Sequence, residues 1–135
     1  MAQSEESELH KYTLEEATAL LPQVRAVVRQ LRDVWVGAAD ERQGFERAQT
    51  QNRGPIEVSL AHQRLVCALW DLQPLAAWLR AHDLVLRQPE IGLIDFRAEV
   101  NGQDAFLCWR LGEDRIAFWH GTDEGFDSRK PLPEG

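Results

Sequence analysis

Apolar residues at three- and four-residue spacing predict a first helix near the start of the chain. Residues 13–16 read Thr-Leu-Glu-Glu, a capping box in which the Thr13 and Glu16 side chains accept from each other's backbone N–H groups. The apolar stripe that follows predicts a helix over residues 13–36. Pro22 interrupts the stripe, which continues beyond it, so we expect a kink rather than a break.

A second apolar stripe predicts another helix over residues 56–86, after Pro55, a favourable first helical residue. Pro74 lies inside this stripe and implies a second bend. Between the stripes, residues 37–55 are polar and contain three glycines. This polar connection extends the first helix, is mobile, or does both. We expect the two helices to pack as an antiparallel pair, with a connection long enough to permit exchange with another subunit.

The periodicity changes to two over residues 91–120, which indicates a sheet. The Asn101-Gly102 dipeptide is a strong signal for a two-residue hairpin turn. The predicted cross-strand pairs are Val100 with Gln103, Phe96 with Leu107, and Ile94 with Trp109. These pairs place apolar residues on a common face.

A second tight turn is expected at residues 112–115. Pairing Leu111 with Ile116 across it places His120 beside Leu107. The result is a three-stranded antiparallel meander over residues 91–120, followed by an irregular tail over 121–135. The predicted fold class is α+β: two long, kinked antiparallel N-terminal helices packed on a C-terminal three-stranded antiparallel β-meander.

The length of 135 residues predicts a single domain, 1–135, with a frayed N-terminus at 1–12. A formal charge of −7 opposes nucleic-acid binding, because phosphate backbones recruit cationic surfaces. No apolar run is long enough for a bilayer, and the acidic start lacks signal-peptide character, so we expect a cytoplasmic protein. Cys67 and Cys108 have no metal-type spacing and are expected to be buried hydrophobes.

Four segments carry a resemblance to a known family. They are Thr13–Pro22, Gly92–Phe96, Leu107–Glu113, and Phe118–His120 with the downstream Gly125, Phe126, Arg129 and Pro131. Together they resemble the bacterial family labelled Domain of Unknown Function 2203 (DUF2203), over nearly the whole chain. The resemblance implies a small bacterial protein and names no activity.

The candidate functional site contains His120, Asp95, Asp123, Glu124, Arg110 and Arg129, with Cys108 on the same sheet. His120 is a general base or metal ligand, a strand-end residue that anchors the tail by hydrogen bonds, or simply exposed. For Asp95, a base or ligand role competes with pairing to Arg110 or Arg97 across the strands. Arg129 binds an anionic group or, more simply, forms a bridge to an acid.

The chain contains no phosphate-binding loop, dinucleotide fingerprint, nucleophile elbow or zinc-protease motif. The leading hypothesis is therefore a non-enzymatic binding or assembly module, a homo-oligomer (dimer) or a partner of another protein. Aromatic side chains such as Trp35, Phe106 and Trp119 would form its surface unless they belong to the core. The alternative is a small metal- or ligand-dependent enzyme around His120. No cofactor is predicted, and a divalent metal belongs to this alternative.

Overall fold

A computed structural model describes residues 9–133 of the chain. Within them, three α-helices precede an antiparallel sheet, which confirms the α+β class. The helices are α1 (Leu14–Thr50), α2 (Pro55–Trp70) and α3 (Gln73–Ala81). The sheet has five strands, which lie side by side in chain order: β1 (Leu84–Gln88), β2 (Leu93–Val100), β3 (Gln103–Arg110), β4 (Phe118–Gly121) and β5 (Lys130–Pro131).

The first helix begins as predicted and ends later than predicted. The Glu16 N–H donates to Thr13 Oγ1 at 3.1 Å, and the Thr13 N–H donates to Glu16 Oε1 at 2.9 Å, which completes the capping box. The helix continues through Pro22 without a break. It also includes residues 37–50, so the prediction of a helix over 13–36 is too short, and the polar connection over 37–55 is reduced to the turn at 51–54.

The single helix predicted over residues 56–86 is wrong. The chain forms α2, then α3, and then the additional strand β1. Pro74 lies in the first turn of α3 rather than inside a longer helix, and a missing N–H has no cost there because first-turn N–H groups lack helical partners. The apolar residues of β1 prolong the helical stripe, which explains the error.

The hydrophobic core lies between one face of the sheet and the first half of α1 together with α3. Its largest fully buried side chains include Trp109, Phe96, Leu31 and Ile94. No residue of α2 belongs to this core, so the expected pair of long helices does not cover the sheet. Instead, α2 packs against the second half of α1.

The predicted frayed N-terminus is wrong for the part that the structure describes. Tyr12 is 8% exposed, its N–H donates to the Arg97 carbonyl at 2.6 Å, and its hydroxyl donates to the His82 carbonyl at 2.6 Å. Residues 9–12 therefore pack onto the fold. Residues 1–8, to which the rest of that prediction refers, lie outside the described residues.

The hairpin between β2 and β3 has the predicted register. Val100 pairs with Gln103, Phe96 with Leu107, and Ile94 with Trp109. Asn101 and Gly102 both have positive φ, 55° and 79°, as a two-residue type I′ turn requires. The turn residues therefore determine the register of the central strand pair.

The predicted register between β3 and β4 is wrong by one residue. Leu107 pairs with Trp119, and His120 pairs with Phe106. Because side chains alternate between faces, this shift places Trp119 on the core side and His120 on the outer face. The connection from β3 to β4 is wider than the tight turn expected at 112–115, and the Trp109 indole N–H donates to the Glu113 carbonyl inside it at 3.0 Å.

The C-terminal tail is more ordered than predicted. Phe126–Ser128 forms a 3₁₀ turn, and Lys130–Pro131 adds the fifth strand beside β4. The Leu132 N–H donates to the Ala117 carbonyl at 2.8 Å, which ties the tail to the sheet edge. The expected irregular tail and three-stranded meander are both corrected, and residues 134–135 lie outside the described part.

Gly92, immediately before β2, lies close to Val28 of α1 and to Leu111, the residue after β3. Its φ is +68°, and a Cβ atom there would lie 2.7 Å from Leu111 Cβ and 2.8 Å from Val28 Cγ1. Both contacts are shorter than van der Waals separation, so the packing of α1 requires glycine.

Gly92→Ala should lower the free energy of unfolding by about 3 kcal/mol, because backbone strain adds to overpacking. Gly102→Ala is the matched control: its φ is also positive, +79°, but a Cβ there meets nothing within 4 Å. We expect Gly102→Ala to lower the free energy of unfolding by about 1 kcal/mol, which is the backbone strain alone. Urea unfolding measures both values, and equal losses would contradict the close approach of α1.

Candidate functional site

Three neighbouring strands bring Asp95, Cys108 and His120 together on the outer face of the sheet, opposite the helices. Asp95 on β2 pairs directly with Cys108 on β3, and His120 on β4 lies one diagonal position away. Their exposed fractions are 0%, 0% and 2%. Since buried polar side chains need partners, the hydrogen bonds of this cluster define its chemistry.

The Asp95 carboxylate is held from both sides through one oxygen. Arg87 Nε donates to Oδ2 at 2.7 Å, and His120 Nε2 lies 2.8 Å from the same oxygen. Arg87 is the extra residue at a bulge in β1, where Leu86 and Gln88 pair with consecutive residues of β2. Such bulges redirect side chains. The expected pairing of Asp95 with Arg110 or Arg97 is therefore wrong.

The hydrogen bonds of His120 constrain where its protons lie. Its Nδ1 lies 2.9 Å from the Gly121 carbonyl, which can only accept, so Nδ1 carries a hydrogen. The contact between Nε2 and Asp95 Oδ2 then requires one further proton, on either atom. Both ring nitrogens have partners, so neither faces Cys108 as a free base.

The Cys108 thiol is protonated and shielded. Burial, and then the charge of Asp95, raise the pKa of Cys108 to about 12. A cysteine that reacts as a nucleophile needs a lowered pKa and access to solvent. Cys108 has neither, which confirms that it is buried, whereas Cys67 is exposed and the expectation that it is buried is wrong.

Arg129 secures the tail beside this cluster. Its Nη2 atom donates to both carboxylate oxygens of Glu113, at 2.8 and 2.9 Å. The guanidinium group also lies over two aromatic rings, with its carbon 4.1 Å from the ring centre of Phe118 and 4.8 Å from that of Phe126. The simpler interpretation of Arg129, a bridge to an acid, therefore describes the structure. Glu113 does more than form a turn, since it binds this arginine.

A concavity of about 290 Å³ opens beside the cluster, and its lining includes Arg87, Asp95, His120, Glu124 and Phe126. Hydrogen bonds from the Lys130 ammonium and then from the Gly121 N–H lower the pKa of Glu124, so this wall of the concavity carries a carboxylate. The nearly fully buried Asp95 and His120 side chains form part of the lining of this concavity.

Two of the predicted site residues lie apart from the cluster. Asp123 is exposed in the turn after β4, and Arg110 is exposed with its guanidinium carbon 5.9 Å from the Phe126 ring centre. Arg87 was not among the predicted site residues, because β1 falls within the segment predicted as a helix over 56–86. Leu84–Gln88 reads LVLRQ, three apolar residues followed by two polar ones, so the period-two alternation that identifies a half-buried strand is missing there.

The helical layer, the antiparallel sheet and the buried Asp–Cys–His cluster define a small α+β protein with a candidate polar site on its outer sheet face. The chain belongs to the DUF2203 family, described as an uncharacterized conserved protein, whose family model matches residues 10–132. No curated protein and no solved structure matches the chain. Within residues 9–133, none of the helices has the length and apolar character needed to cross a membrane.

Asp95→Asn tests the central role of the carboxylate. Because the amide removes the charge that Arg87 and His120 contact, we expect a loss of about 3 kcal/mol in the free energy of unfolding. Glu99→Gln is the matched control on the same strand: Glu99 pairs with Lys11 at the surface, where ion pairs contribute little. Urea unfolding should separate the two variants, and equal stabilities would contradict the account of the cluster.

Proposed function

We propose that the protein is a non-enzymatic assembly module that forms a homodimer through its helical hairpin, defined here as residues 35–70 of α1 and α2. The observation that carries the proposal is a set of large apolar side chains exposed on this hairpin. Trp35 is 39% exposed, Leu69 45%, Trp70 66% and Ile56 76%. The cytoplasmic location expected from the sequence is part of the same proposal.

The core of the fold does not use the helical hairpin. The hydrophobic core and the partly buried side chains packed on it include no residue from 35 to 71. Among the side chains of α2, only Ala61 is buried, and it lies outside this core. Large apolar side chains left exposed are typical of an interface, because their contact with water is unfavourable, and Trp35, Leu65 and Leu69 line one common groove.

Charge favours a second copy of the chain as the occupant. Residues 37–70 contain four acidic and four basic side chains, so the formal charge of −7 lies entirely outside this segment. Two acidic chains therefore approach each other here without net repulsion between the contacting segments, whereas contacts elsewhere bring together like charges.

The docking surface is one of the grooves that the two helices line together. It has a volume of about 210 Å³ and is lined by Trp35, Ala38, Ala39, Arg42, Leu65 and Leu69. Small residues on α1 let a partner helix approach closely, and Trp35 supplies the large apolar contact typical of interface centres. Two hairpins related by a two-fold axis would form a four-helix arrangement.

Leu69→Glu should convert the dimer into a folded monomer, because it places a charge in this groove. Leu60→Glu is the matched control: Leu60 is 49% exposed on the same helix and lines a different groove. Light scattering after size-exclusion chromatography should give twice the chain mass for the wild-type protein and for Leu60→Glu, and the chain mass for Leu69→Glu.

A monomeric wild-type protein at high concentration would overturn the homodimer. A dimer that tolerates Leu69→Glu would move the interface away from this groove. Capture of a different protein by a monomeric chain would favour the other partner considered from the sequence.

A second candidate function, a small metal- or ligand-dependent enzyme, is supported by the concavity beside the cluster. Arg87, Asp95, His120 and Glu124 converge there, and convergent polar groups in a concave site are typical of ligand binding. This candidate uses a different surface from the proposed dimer, so dimerisation is compatible with a ligand site beside the cluster, although an enzymatic activity there would replace the non-enzymatic part of the first proposal.

A further inference from the structure

One oxygen in the cluster has no hydrogen-bond partner. Asp95 Oδ2 has two hydrogen-bond partners, Arg87 Nε and His120 Nε2, whereas Asp95 Oδ1 is buried with no partner among the described residues. The neighbouring Cys108 thiol is a weak donor, and its contact with the Asp95 carboxylate does not satisfy Oδ1. An unpaired buried carboxylate oxygen is costly, so this atom is available to bind a ligand.

The side chains around this oxygen have the chemistry of metal ligands. Asp95, Cys108 and His120 each provide one ligand atom, and the three atoms lie within 4.8 Å of one another. Zinc binds carboxylate oxygen and imidazole nitrogen at about 2.0–2.2 Å and thiolate sulfur at about 2.3 Å. Small side-chain rotations therefore bring all three atoms to one ion.

The hydrogen bonds outside the three ligand atoms already orient them for an ion. Nδ1 of His120 donates to the Gly121 carbonyl, which directs Nε2 toward Asp95. Metal-binding histidines almost always donate their second ring N–H in this way. Arg87 holds Oδ2 and leaves Oδ1 free.

We propose that Asp95, Cys108 and His120 bind a divalent transition-metal ion of the zinc class. The fourth coordination position would face the concavity between Arg87 and Glu124, where water or a small ligand can enter. The thiolate selects zinc-class ions over magnesium and calcium, which prefer oxygen ligands alone.

Charge balance is consistent with this site. Binding replaces two protons, one shared by His120 and Asp95 and one on the Cys108 thiol, with one divalent cation. The net charge of the buried cluster is therefore unchanged. Arg87 remains paired with Asp95, so no buried charge loses its partner.

This inference does not rest on the proposed homodimer. It also concerns ion binding without any reaction, so it can hold or fail separately from the enzyme candidate. Cobalt(II) is a suitable probe, since it replaces zinc in tetrahedral sites and gives a charge-transfer absorption band when bound to thiolate.

Titration of the metal-free full-length protein with Co²⁺ should produce a thiolate charge-transfer band that saturates at one equivalent, and Zn²⁺ should displace it. Cys108→Ser should abolish the band and weaken Zn²⁺ binding by more than about tenfold. Cys67→Ser is the matched control and should leave the charge-transfer band and the Zn²⁺ affinity unchanged, because Cys67 is exposed on α2.

Absence of binding, or a band that survives in Cys108→Ser and disappears in Cys67→Ser, would overturn the proposal. If Cys108→Ser fails to fold, zinc X-ray absorption of the wild-type protein decides the question. The proposal expects one sulfur neighbour at about 2.3 Å together with nitrogen and oxygen neighbours. A coordination shell without sulfur would overturn it.

Discussion

The buried Asp95 carboxylate is the interaction on which the outer face of the sheet depends. It has no solvent exposure, and Arg87 of β1 and His120 of β4 contact it from the two sides. One side chain of β2 thus links strands that do not pair with each other. A one-residue slip of β4 would remove His120 from this face and leave the carboxylate with fewer partners, so the cluster stabilises the register as well as the site.

The residues that pack the hydrophobic core are separate from the two surfaces proposed for assembly and for ligand binding. Helix α3 and the first half of α1 cover the inner face of the sheet, which leaves the helical hairpin outside the core. The polar cluster occupies the outer face, under the tail that Arg129 and Glu113 secure. A change at the hairpin therefore leaves the cluster contacts intact. This separation permits assembly and ligand binding to be varied independently.

The sequence predicted correctly the features that depend on residues close together in the chain, namely a helix start and a hairpin turn. The capping box located the start of α1, and Asn101-Gly102 determined the β2–β3 register. The extension of the first helix over 37–50 was only one of the alternatives left open for the polar connection, because only two residues there, Ala38 and Ala48, are buried and the apolar stripe is weak. The position of His120 depended on the wide connection before β4, whose geometry comes from the tertiary contacts of Trp109 and Glu113. Consequently, the candidate residues were identified, while the contact between Asp95 and His120 and the role of Arg87 were not.

The register of β4 is the central claim, since it places His120 beside Asp95 rather than in the core. Nuclear Overhauser effects between backbone protons of β3 and β4 measure it directly in the isotope-labelled protein. The structure predicts cross-strand effects between Leu107 and Trp119 and between Phe106 and His120. Effects that pair Leu107 with His120 would contradict it, because His120 would then point toward the helices and the cluster could not form.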